Sequence, residues 1–289
     1  MIFLKNVLKN ICVIFLALAI FVVGAITENL LQNFFGNYYL QLIVPCIVRI
    51  IVTVVLAAFF SAKVLKINAE ELGIKNIKID FKWIVISAVL PVSVLALYIF
   101  ILPGHAYIAK EGNFLQYLAY AVFGVGISAG ITEEVIFRGM IFRYMKKTLG
   151  TKAAVIIPAV IFACLHIINM QTFDLTDLVL LLLAGSLVAV MFVFMALTSD
   201  SIYPGALAHT LWNTLIIGEI IGVGGIVNGM PNDSFIIVPI ESQSKLLTGG
   251  NFGIEAAVPA IIGYIAVSVI SYSFYKKKNK TDLKKELQK

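Results

Sequence analysis

Charge is what this chain has least of. Only 13% of its 289 residues are Asp, Glu, Lys or Arg, about half the share of a soluble globular domain, which is about 25%. A chain this poor in charge cannot cover itself with a wet surface, and an ordinary soluble globule is excluded. Cysteine is equally scarce. Cys12, Cys46 and Cys164 each stand inside an apolar run and no C-x-x-C pair occurs, which argues against a disulfide framework and a thiolate metal site. The H-E-x-x-H spacing of helical zinc proteases is missing as well. No internal repeat is visible, and no low-complexity tract apart from a lysine-rich tail.

What is present is hydrocarbon. Hydrophobic residues make up 60% of the chain and the mean hydropathy is +0.97. Apolar runs of about 20 residues recur, each long enough to cross a hydrocarbon core of about 30 Å as helix. The pattern predicts an all-α polytopic membrane protein, a bundle of about eight transmembrane helices over 8–30, 38–62, 83–103, 114–145, 152–168, 176–197, 202–220 and 254–275. The first run follows Lys5 and Lys9 like a signal peptide, but it is too long for one and lacks a small-residue cleavage site, so a retained helix is expected.

Lysine and arginine supply the orientation. With eight crossings, one side of the membrane collects Lys5, Lys9, Lys63, Lys66, Lys75, Lys78, Lys82, Arg143, Lys146, Lys147, Lys152 and the tail lysines Lys276, Lys277, Lys278, Lys280, Lys284, Lys285 and Lys289, whereas the other holds Lys110 and Lys245. The positive-inside rule then predicts a multi-pass protein of the cell membrane with both termini cytoplasmic. The net charge of +6 is read as topology and attraction to anionic lipid, not as a nucleic-acid surface. One domain over 1–289 is expected, with a cytoplasmic tail at 276–289. Residues 67–80 are expected at the cytoplasmic interface, and 222–252 as a flexible outer loop.

Ionisable side chains at membrane depth cost about 2.5 to 3.5 kcal/mol each on the translocon scale and mark function by default. Here they cluster. The fourth run contains Thr-Glu-Glu-Val-Ile-Phe-Arg-Gly, in which Glu134 and Arg138 are four apart on one helical face and can pair. Glu133 points about 100° away from Glu134 and has no cation beside it in sequence, as suits a general base. The fifth run ends in Phe162-Ala-Cys-Leu-His166, and the seventh contains His209-Thr-Leu-Trp-Asn213, again with a four-residue step. At about 1.5 Å per residue, Glu133, His166 and His209 fall at depths of roughly 12 to 20 Å, which predicts one shared site. A Glu and a His that activate water, with a second His and an Asn as oxyanion donors, make amide hydrolysis plausible. Two His and one Glu also match a catalytic zinc triad in ligand type. The residues alone leave both readings open.

The three motifs together, Glu133-Glu134-x-x-x-Arg138, Phe162-x-x-x-His166 and His209-x-x-x-Asn213, with Pro204-Gly205-Ala206 leading into the third, resemble those of the CPBP family: the CAAX prenyl proteases and bacteriocin-processing or immunity proteins also called Abi. The resemblance covers about 130–215, within a motif core of about 113–220; Glu70 to Gly73 is similar to a segment common in these proteins. It implies an intramembrane endopeptidase in which Glu133 and His166 activate water, His209 and Asn213 hold the oxyanion, and Glu134, Arg138 and Phe162 are structural or substrate-positioning. It implies a peptide or membrane-anchored protein segment as substrate and no required metal; a divalent ion such as zinc, if bound, would take Glu133, His166 and His209. A cavity open toward the cytoplasm is expected. The alternative is a non-catalytic membrane scaffold, or a transporter using Glu133 as proton carrier, although the paired repeats and broken helices of transporters are not seen.

Two further features have plainer readings. Gly126-Ile-Ser-Ala-Gly130 matches the nucleophile-elbow pattern, but inside a membrane helix small residues packing on a neighbour explain it better. Arg49, in the second run, faces the bundle or a polar cavity.

Overall fold

A computed structural model of the protein describes residues 2–75, 77–100, 105–109, 112–170, 172–227 and 230–287. Lys110, Lys289 and positions 101–103 of the third expected run lie outside them. The chain is a multi-pass helical bundle. Helix α1 is Ile2–Gln32, α2 Leu40–Phe60 continued by a π turn Ser61–Leu65, and α3 Phe81–Phe100. Helix α4 runs through Phe114–Leu149, α5 is Thr151–Leu165 with a 3-10 turn His166–Asn169, and α6 is Leu175–Ser199. Helix α7 is Tyr203–Trp212 plus a π turn Asn213–Ile217, and α8 is Val258–Leu287.

Local chemistry explains the breaks. Asn113 caps α4 by accepting from the Leu115 amide, and Asp174 caps α6 by accepting from the Thr176 and Asp177 amides, satisfying donors that would otherwise be stranded in lipid. Gly150 separates α4 from α5 at φ +85°, a conformation that costs glycine nothing. The lipid-facing surface is an apolar stripe turned outward. On α2 it is Ile47, Ile51, Val55 and Phe59, four residues apart and exposed, while Cys46, Thr53 and Ala57 of the opposite face are buried. Since lipid is as apolar as leucine, helices associate through close packing of small residues. A Cβ on Gly130 would come 2.3 Å from Thr210 Oγ1, and one on Gly126 2.3 Å from Thr214 Oγ1; both glycines lie in helix and let α7 approach α4.

Among the described residues, seven helices are long and apolar enough to cross a membrane, against the eight expected. The missing one is α7, only fifteen residues from Tyr203 to Ile217, yet it passes from one end of the bundle to the other. At its start Ile202 N bonds Gly73 O and the Tyr203 hydroxyl donates to Ile74 O; after its end β2, Ile221–Val223, lies in a sheet with β1, Tyr107–Ile108, which follows α3. Helix α7 packs on α3, α4 and α6. Surrounded by protein, it does not need the length or hydropathy of a lipid-facing span.

The two ends of the bundle differ. One holds the start of α1, the end of α8 and the connections at 66–75, 77–80, 150 and 200–202: Asn10 of α1 bonds the Thr148 hydroxyl at the end of α4, and Lys278 of α8 bonds Asp200 and the Thr198 carbonyl. The tail expected at 276–289 continues α8 as helix to Leu287. The other end holds the stretch expected as a flexible loop, which instead carries secondary structure. Here β3, Ile226–Val227, pairs with β4, Met230–Pro231, while β5, Ile236–Val238, pairs antiparallel with β1 and parallel with β2. A one-turn helix Lys245–Thr248 and short 3-10 turns lead into α8. Lys245 Nζ reaches Asp174 (2.7 Å) and buried Asp177 (3.0 Å), and the Asn251 amide bonds Asp177 Oδ2 (3.1 Å), tying this segment to the start of α6.

Candidate active site

Helix α4 is not a uniform helix. Two π turns, Tyr120–Gly126 and Val135–Ile141, bracket the α-helical stretch Ile127–Glu134, and such turns gather at functional sites. The wide turn also leaves a carbonyl available: the Asn213 side-chain amide donates to Val125 O at 3.2 Å.

Glu134 and Arg138 form the expected pair, 2.9 Å apart and fully buried. Arg138 donates in addition to Ala189 O at 3.2 Å, and its guanidinium lies 4.9 Å and 5.0 Å from the ring centres of Phe162 and Phe192. Hydrogen bonds and ring faces replace the water a buried cation has lost. Glu134 Oε1 also faces Nδ1 of His209 at 3.2 Å. Glu134 accepts from Arg138 and from this ring, so Nδ1 is the donor and Nε2 is turned to the other side. Phe192 stacks on that imidazole, rings 4.9 Å apart at 15°. A Cβ at Gly205 would lie 3.0 Å from Glu134 Oε2, so glycine there lets α7 bring His209 close.

Nε2 of His209 stands 3.8 Å from Oε2 of Glu133, an oxygen that is itself buried without a hydrogen-bond partner. His209 therefore lies between two sequence-adjacent carboxylates. The expected partner of Glu133 was His166; it is His209 that comes within ion-pair distance. His166 bonds Phe162 O through Nδ1 at 2.8 Å, which makes Nδ1 the donor and leaves Nε2 as an acceptor. Phe162 packs against His166 (4.6 Å), Phe137 (5.1 Å) and His209 (6.3 Å), a wall holding both imidazoles in place.

Glu133, His166, His209 and Asn213 line one cavity of about 250 Å³. The cavity extends to the end of the bundle opposite the termini, where Asn169, Phe252 and Ala256 join its wall; toward the terminal end it is closed by buried Glu134, Ile136, Phe137, Arg138 and Met140. A cavity open toward the cytoplasm was expected; with cytoplasmic termini its lining would instead run toward the other face. Depth along single helices could not reveal it, because the mouth is built by the segment between α7 and α8.

Two acidic residues were missed. Glu28 of α1 pairs with Arg49 at 2.5 Å and accepts from the Ser128 hydroxyl at 3.0 Å; Arg49 lines the cavity beside it. Glu255, in the 3-10 turn before α8, lines the cavity too, and burial, then the charge of Glu133, pushes its carboxyl up to about 8. The available signal was an isolated acid at the edge of an apolar run. As to metal, no three His, Cys, Asp or Glu side chains among the described residues group closely enough to hold an ion; Glu133, His166 and His209 share a wall without forming such a group.

Residues 115–215 match the family model described as type II CAAX prenyl endopeptidase Rce1-like. The family resemblance read from the motifs is thereby borne out for that segment. The Rce1-like segment comprises nearly all of α4, α5, α6 and most of α7, including Glu133, Glu134, Arg138, Phe162, His166, His209 and Asn213. Arg49, Glu28 and Glu255 fall outside it. No curated protein matches the chain.

Proposed function

We propose that the protein is an intramembrane endopeptidase that hydrolyses a peptide bond of a membrane-associated peptide or protein segment with water activated by Glu133. The observation that carries this reading is the convergence of Glu133, His166, His209 and Asn213 on one cavity, with a Glu133 oxygen left unpartnered. Glu133 takes a proton from water as the water oxygen attacks the carbonyl carbon, and His166, through its accepting Nε2, helps to hold that water. Asn213 retains a second amide proton beyond the one given to Val125, and His209, oriented by Glu134, stands beside it; Asn213 donates to the developing oxyanion, and His209 does so through Nε2 in the imidazolium form, in which both ring nitrogens carry protons. Arg138 sustains the arrangement by holding Glu134 in a buried ion pair. No bound metal is part of this scheme.

With the lysine-rich end in the cytoplasm, the substrate enters from the opposite leaflet or its aqueous face. That placement suits a segment exported or anchored on the outer side.

The test compares wild type with Glu133→Gln and His166→Ala in membranes of the native host, using mass spectrometry of the peptide and membrane-protein pools. Accumulation of the same precursor in both variants, at equal protein levels, is expected. An unchanged pool in both, with the knockout phenotype still rescued, overturns the protease and leaves a scaffold.

A further inference from the structure

Glu255 is a half-buried carboxyl that the scheme above does not use. Its turn packs on α6 and α8, so it enters the cavity from the side of those helices, whereas Glu133 enters from α4. Its Oε1 is sealed from solvent and has no hydrogen-bond partner. A structural carboxylate at such a place is paired with a cation or held by donors. Among the described residues Glu255 has neither: the Tyr264 hydroxyl of α8 donates to the Glu255 backbone oxygen at 3.1 Å and not to the carboxyl.

Hydrolysis of an amide needs two proton movements. In the first, the water oxygen bonds to the carbonyl carbon, the π pair moves onto the carbonyl oxygen, and the water proton goes to Glu133. In the second, that pair returns, the C–N bond breaks, and the nitrogen leaves with the bonding pair and must receive a proton. Glu133, already facing His209 at 3.8 Å, is placed for the first. A second carboxyl, Glu255, on the wall of the same cavity is available for the other.

Resting on the protease reading, we propose that Glu255 is a catalytic acid of this cavity, giving its proton to the departing amine nitrogen while Glu133 serves the attacking water. Glu255 takes a proton back from solvent or from Glu133 after product leaves, and the cycle balances without a co-reactant. The groups around it fit the role. Glu133 of α4 disfavours a second negative charge nearby and Arg49 of α2 is already neutralised by Glu28. His166 of α5, His209 of α7 and the Tyr264 phenol of α8 complete the ionisable lining, and α6 contributes only uncharged residues. The carboxyl of Glu255 is raised to about 8, by burial first and Glu133 second, so it holds its proton at neutral pH. The position lies outside the residues matched by the family model, so the role is not carried over from that match.

The experiment uses the full chain in nanodiscs and, as probe, the precursor that accumulates in Glu133→Gln membranes. Wild type, Glu133→Gln, Glu255→Gln and Glu255→Asp are assayed across pH, and each is examined by infrared difference spectroscopy for a protonated carboxyl band. For Glu255→Gln, a fall in kcat of roughly 10²-fold, within the usual range for general acid–base groups, is expected with KM little changed. The alkaline limb of the wild-type profile is absent from the residual activity, Glu255→Asp restores part of the rate, and a carboxyl band present at neutral pH disappears in Glu255→Gln. Wild-type kcat with an unchanged alkaline limb in Glu255→Gln, while Glu133→Gln is inactive, overturns the proposal and leaves the protease reading standing. A carboxyl band unaffected by Glu255→Gln overturns it irrespective of activity. If no precursor accumulates, or Glu133→Gln cleaves it normally, the protease reading itself fails and the proposal with it.

Discussion

Nδ1 of His209 lies 3.2 Å from Oε1 of Glu134, a contact that joins positions 75 residues apart. Glu134 is thereby a positioning residue: it holds a ring nitrogen of His209 and the guanidinium of Arg138, while its neighbour Glu133 faces the cavity. The two glutamates should respond oppositely to the same substitution. Glu134→Gln leaves Arg138 buried without a countercharge, and losing one partner of a buried pair costs about 3–5 kcal/mol. Thermal unfolding in detergent should show a large drop in Tm together with lost processing. Glu133→Gln should abolish processing with Tm unchanged or higher, since it removes a buried carboxylate that makes no hydrogen bond through Oε2.

Gly130 tests the approach of α7 to α4. A methyl group there meets Thr210 Oγ1 at 2.3 Å and the Thr210 amide nitrogen at 2.8 Å, and backbone cannot rotate aside. Gly130→Ala should cost about 1–3 kcal/mol, as overpacking does, and should lower activity beyond the loss of folded protein, because Thr210 adjoins His209. Gly36→Ala, which meets nothing within 4 Å, is the control and should leave both Tm and processing unchanged.

The segment between α7 and α8 is clamped by Lys245 on Asp174 and Asp177. The Lys245 ammonium, followed by the Asp177 amide, holds the Asp174 carboxyl below its usual range. A depressed folded-state value means that its contribution is present above the unfolded carboxylate range and is lost as pH falls through the folded one. Hydrogen exchange over 245–256 should therefore quicken on acidification below about pH 4, and Lys245→Ala should show fast exchange already at neutral pH. Equal protection in wild type and Lys245→Ala would count against the clamp.

For Glu255 the sign is reversed. Its folded-state value, about 8, lies above that of an unfolded glutamate, about 4.3. The folded state keeps a proton that the unfolded chain releases, so this contribution is complete at low pH and declines as pH rises through that interval. The Tm difference between Glu255→Gln and wild type should thus move in favour of the variant between about pH 5 and pH 9. A pH-independent difference contradicts the assignment.

Metal removal is the remaining test. Since Glu133, His166 and His209 do not gather as a three-ligand group, processing by protein dialysed against a chelator should match that of untreated protein. Elemental analysis should find no stoichiometric zinc. Activity lost on chelation and restored by zinc alone would refute the metal-free scheme.

Much of this architecture is local and was therefore legible in the chain. An apolar run long enough to cross lipid must become helix, because lipid offers no partner for an unpaired peptide group. That requirement alone predicts the seven long helices. The four-residue step likewise predicts the Glu134–Arg138 pair, and the motif order led to the family that the match at 115–215 supports.

What the chain could not disclose depends on which helices are neighbours. Hydropathy is nearly the same on every lipid-facing surface, so it does not say that α7 sits inside the bundle, where fifteen residues suffice. Nor does it say that His209, not His166, meets Glu133. The π turns of α4 turn its faces in a way no 3.6-residue period predicts. The cavity mouth, and with it Glu255, is made by a segment with no helical period at all, brought beneath α6 by Lys245 and Asp177. Sequence determined the material of the bundle and the residues able to carry chemistry; the close approach permitted by Gly126, Gly130 and Gly205 decided which of them meet, since only packing contacts act across distances that no local pattern spans.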